Sequence, residues 1–124
     1  MNTKQFEFDA VVAHLYAQGR PAVSDSIGCA YRDEGGLMCA VGCRIPDSMY
    51  TREMEGETVS SLLEKGFAVP EEITAYERMF RKLQEVHDDY TLNEEKEPVF
   101  DITALTLGLQ RIADEFGLTF TVPE

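Results

Sequence analysis

Hydrophobic positions recur every three to four residues from Lys4 to Gln18, where Phe8, Val11, Val12, Leu15 and Tyr16 fall on one stripe. That period predicts an amphipathic helix. Asn2 is placed to cap it, with Gln5 three residues on as the reciprocal partner. Gly19 then supplies a stop and Pro21 blocks continuation. From residue 22 to residue 46 the helical period disappears, and Gly28, Gly35, Gly36 and Gly42 break any long helix. The stretch AYR-DEGG-LMCAV, residues 30–41, reads as two short arms around a glycine loop, a small β-hairpin. A competing reading of its second arm makes CAVGCRI, residues 39–45, a helical turn.

Pro46 followed by Asp47 and Ser48 favours a turn. A short helix is predicted from Gly56 to Lys65, with Val59, Leu62 and Leu63 inward and Gly66 at its end. Pro70 suits the first position of the next helix, with Glu71 and Glu72 in the first turn, where the helix dipole favours acids. That helix carries the clearest stripe in the chain: Ile73, Tyr76, Phe80, Leu83, His87 and Tyr90, flanked by Met79 and Val86. TLNEEKEP forms a polar loop, and a last helix runs from a capping Asp101 to Phe116, ended by Gly117. LTFTV alternates and predicts a final strand. The expected fold is therefore α+β and predominantly helical, with about four helices and a small hairpin in a single domain, residues 1–124.

Charge changes the picture more than composition does. The chain carries 23 acids against 11 Lys and Arg, for a net charge of −12. Residues 1–62 account for −4 and residues 63–124 for −8, so the acidity leans towards the C-terminal half. Such a field repels phosphates and predicts no direct nucleic-acid binding. It steers the molecule towards a protein with a basic surface. Solubility alone is the plainer reading of the same charge. No apolar run approaches a membrane span, and MNTKQFEFD lacks the apolar core of a signal peptide, so the expected location is cytoplasmic. The cysteines number three, an odd count that fits reduced thiols better than a disulfide framework.

All of those cysteines lie between residues 28 and 50. Cys39 and Cys43 have the spacing of one zinc-ligand pair, and Cys29 with His87 or His14 would have to complete a tetrahedron. No second pair is present, and cysteine is also a common small buried residue. Cys39 follows Gly35 and Gly36, so a nucleophilic thiol served by His87, with Asp88 or Asp101 as orienter, is a second candidate. His87 sits on an apolar stripe, where a hydrogen-bonded core histidine is the bland alternative. Glu53, Glu55 and Glu57 form an acidic run that reads as a solvated loop unless it meets a cation. Arg32 and Arg44 flank the glycine loop and are expected to pair with internal acids such as Glu55 or Asp88. A small anion pocket is the other possibility. Tyr31, Arg32, Tyr50 and Glu55 are the candidate binding side chains. No phosphate-loop or dinucleotide motif is present, and nothing calls for a cofactor.

One ordered set of short motifs resembles a known family. Cys29-x-Tyr31-Arg32, Gly36-Leu37-x-Cys39-Ala40-x-Gly42, Ile45-Pro46-Asp47-x-x-Tyr50, Met54-Glu55-Gly56 and Leu83-Gln84-x-x-His87-Asp88 follow one another as in small uncharacterised proteins of phages, prophages and bacterial plasmids. The resemblance runs from about residue 28 to residue 115 and implies a setting, a mobile genetic element in a bacterial cytoplasm, without an activity. With that setting, the acidic C-terminal half leads to the expectation of a phage-type accessory protein that binds a host protein. In such a role the acidic half would mimic nucleic acid against a defence factor. The alternative is a small cysteine-dependent hydrolase or ligand-binding enzyme centred on Cys39 and His87.

Overall fold

The computed structural model describes residues 1–19, 23–24, 28–33, 35–91 and 102–123, and the side chains of 23, 24, 28, 29 and 88–91 are outside the description. Among the described residues the chain forms five α-helices: α1 (Lys4–Gln18), α2 (Val59–Glu64), α3 (Glu71–Ala75), α4 (Glu77–Thr91) and α5 (Ile102–Phe116). Single 3-10 turns at Gly42–Arg44 and Arg52–Met54 link α1 to α2.

The first helix has the predicted span but a different cap. Thr3 Oγ1 accepts from Phe6 N at 3.1 Å, and Gly19 closes the helix at φ 63° with its N–H on Leu15 O. Asn2 is not the cap; its side-chain Nδ2 donates to Glu7 Oε2 at 3.0 Å. Its N–H donates to Glu72 Oε2 at 3.0 Å and its carbonyl accepts from Tyr76 Oη at 2.8 Å, tying the N-terminal strand of chain to α3. The short helix starts at Val59 rather than Gly56, because Thr58 takes the capping position and accepts from Ser61 N. The expected long helix is broken at Tyr76, whose φ −114° and ψ 35° leave the helical region. Pro70 becomes the cap of α3, not its first residue. The cap expected from Asp101, and the stop expected from Pro21, lie outside the described residues.

The α+β expectation is overturned: the architecture is helical. Val23–Ser24 and Gly28–Cys29 pair antiparallel over two residues each, away from the expected hairpin and too short to make a sheet layer. The hairpin expected over residues 30–41 shrinks to one bridge, Arg32 with Met38, closed by Asp33 N on Leu37 O and Cys39 N on Tyr31 O. Beyond Met38 the chain winds up, with Cys43 N on Cys39 O and Arg44 N on Val41 O, so the helical-turn reading of CAVGCRI is the one that forms. The final strand over LTFTV is likewise absent.

The hairpin stops at its one backbone bridge because the chain winds into a turn from Cys39. On the outer edge of Met38, and again at Thr119, a glutamine side chain stands where a further strand would pair. Gln18 Nε2 donates to Met38 O at 2.9 Å while Gln18 Oε1 accepts from Met38 N at 2.8 Å. Gln5 does the same to Thr119, at 2.9 and 2.8 Å. Each amide copies a single rung of a ladder and leaves nothing for a second strand to extend.

The core gathers Phe8, Val11 and Leu15 of α1, Leu62 of α2, Ile73 of α3, Met79, Phe80 and Leu83 of α4, and Leu105 and Leu109 of α5, all buried. The two long C-terminal helices cross closely at Gly108, where an added Cβ would lie 2.8 Å from Val86 Cγ1. Leu118 and Phe120 then lay the tail against the core, the Phe120 ring meeting Phe8 edge-on at 6.1 Å.

Candidate functional site

The side chains with the densest polar wiring gather behind the loop 46–53. The bridge at Arg32 presents two consecutive backbone N–H groups, and Glu55 takes both: Tyr31 N to Oε1 at 2.8 Å and Arg32 N to Oε2 at 3.1 Å. Tyr50 Oη donates to the same Oε2. Gly56, at φ 83°, turns the chain directly after Glu55, and the Glu57 carbonyl accepts from Tyr31 Oη at 2.6 Å. The Arg32 guanidinium stacks 4.5 Å from the Tyr50 ring centre, donates to Asp47 Oδ1 at 2.6 Å and reaches Ile45 O at 2.7 Å. Tyr31, Arg32, Tyr50 and Glu55, the candidate binding set, therefore meet at one place. Arg32 takes Asp47 as its ion-pair partner, and its link to Glu55 runs through its backbone N–H.

Burial, with the carboxylate of Glu55 beside it, pushes the Tyr50 phenol up to about 12. The folded state thus holds this proton above pH 10, where the unfolded chain releases it. Stability associated with Tyr50 is complete below pH 10 and is lost as pH rises towards 12. Tyr50→Phe should flatten the alkaline fall in urea stability between pH 10 and 12 relative to wild type. An unchanged slope would show that the phenol is not held protonated by the fold.

Arg44 makes the other strong pair, with an acid the sequence reading did not choose. Its Nε and Nη2 donate to the two oxygens of Glu7 at 3.0 and 2.9 Å, a fork on a carboxylate that is almost wholly buried. The Glu7 hydrogen bond raises the Arg44 pKa further, so the guanidinium stays charged. The signal was present: Glu7, Val11 and Leu15 share one face of α1, and a charge on an apolar stripe announces a buried partner. Glu7→Ala is expected to cost about 2 kcal/mol in urea unfolding, below the usual range for a broken buried pair because Arg44 keeps some access to water. Restoring much of that loss with Glu7→Ala plus Arg44→Met would show that the cost comes from a stranded cation.

The cysteine segment is a packed turn. Cys39 is buried and its Sγ accepts from Gly42 N at 3.2 Å. Cys43 Sγ donates to Ala40 O at 3.2 Å, and burial pushes its thiol up to about 12. His87 is buried on α4. The side chain of Asp88 and the thiol of Cys29 lie outside the described residues, as does Asp101. Among the described residues no group of three or more His, Cys, Asp or Glu side chains could hold a metal ion, so Cys39 and Cys43 have no third ligand there. The other histidine, His14, donates from Nε2 to Met38 O at 2.8 Å. A thiol raised to about 12 holds roughly a thousandth of the thiolate of a free cysteine near pH 8. In a Cys29→Ser variant, iodoacetamide at pH 8 should therefore label neither remaining thiol in the native protein and both in urea. Fast native labelling of Cys39 would reopen a nucleophilic role.

No protein-family model, no curated protein and no solved structure matches this chain. Nor is any helix among the described residues long and apolar enough to cross a membrane.

Proposed function

We propose that this chain is a phage-type accessory protein that acts by binding a host protein through its acidic surface, occupying the basic groove in which a defence factor would hold nucleic acid. The observation that carries this reading is the fate of the cations. Arg32, Arg44, Lys65, Arg78 and Lys82 are each engaged by an acid of the same chain, while acids exceed bases by 23 to 11. These pairs take up five of the eleven Lys and Arg, and the acids that remain in excess are mostly at the surface. The alternative enzyme draws no support from Cys39 and His87, since both side chains are buried and a reacting thiol needs access to its substrate.

Immobilised protein challenged with host extract tests the reading. Retained proteins should be basic, should elute steeply between about 0.05 and about 0.5 M salt as the screening length shrinks, and should be displaced by duplex DNA. Retention that ignores both salt and DNA would overturn the acidic-surface mechanism.

A further inference from the structure

We draw no further inference here: the strongest candidate, the open backbone edge of the extended tail beyond Thr119 with Val122 exposed beside it, carries nothing because nothing in the structure shows what would cover it.

Discussion

Among the glycines whose surroundings are described, Gly42→Ala should be the most damaging change, costing about 4 kcal/mol and lowering the melting temperature by about 15 °C. A Cβ built at Gly42 lies 2.1 Å from the Tyr31 carbonyl oxygen and 2.8 Å from its carbon. Both are backbone atoms, so no rotamer change relieves the clash. The carbonyl cannot simply swing away, because it accepts from Cys39 N at 3.2 Å and closes the bridge at Arg32. Gly56→Ala is the matched control. Its φ of 83° strains an alanine, but its Cβ would meet open space, so about 1 kcal/mol is expected. Thermal melts of the two variants separate them. Equal losses would mean that backbone conformation, not the close approach, is what glycine supplies at residue 42.

Glu55→Ala is expected to cost about 3 kcal/mol, because it strands two backbone donors and the Tyr50 hydroxyl at once. Glu55→Gln should lose about half as much, since one oxygen can still accept while the new amide N–H₂ turns a donor towards a donor. The readout is the urea midpoint, supported by faster amide exchange at Tyr31 and Arg32 in the alanine variant. The two variants also separate fold from function. If Glu55→Gln stays folded yet loses capture of a basic partner, the braced loop belongs to the binding surface. If capture survives, binding lies elsewhere on the acidic exterior. A Glu55→Ala protein as stable as wild type would show that water satisfies these donors and that the carboxylate is not a brace.

The helices were legible where an apolar stripe ends on an unambiguous stop. The α1 stripe ends at Gly19, α2 at Gly66 and α5 at Gly117, and each of these glycines takes a positive φ. The break at Tyr76 was not legible. Tyr76 keeps the spacing of the stripe from Ile73 to Leu83, while its phenol donates to the carbonyl of Asn2, a partner far away in sequence. The two false strands failed for a related reason. Alternation reports an extended backbone with one face buried, and it cannot say whether the partner is another strand or a glutamine. At the site, the sequence brought Tyr31, Arg32, Tyr50 and Glu55 into one set but not their wiring. An acid reaching backbone N–H groups more than twenty residues away leaves no periodic trace. Glu7 was the legible miss, a charge standing on an apolar stripe.

The grip of Gln18 on Met38 has a consequence for how copies of this protein behave in a crowded solution. An extended segment with an open side is a template on which another chain can add itself, and short apolar stretches such as Leu37–Val41 are the ones that nucleate such growth. Here Met38 is bounded on one side by Arg32 and on the other by an amide that belongs to a helix. A helix side chain has no next residue in register, so pairing at Met38 stops after one rung and a neighbouring molecule cannot add itself there.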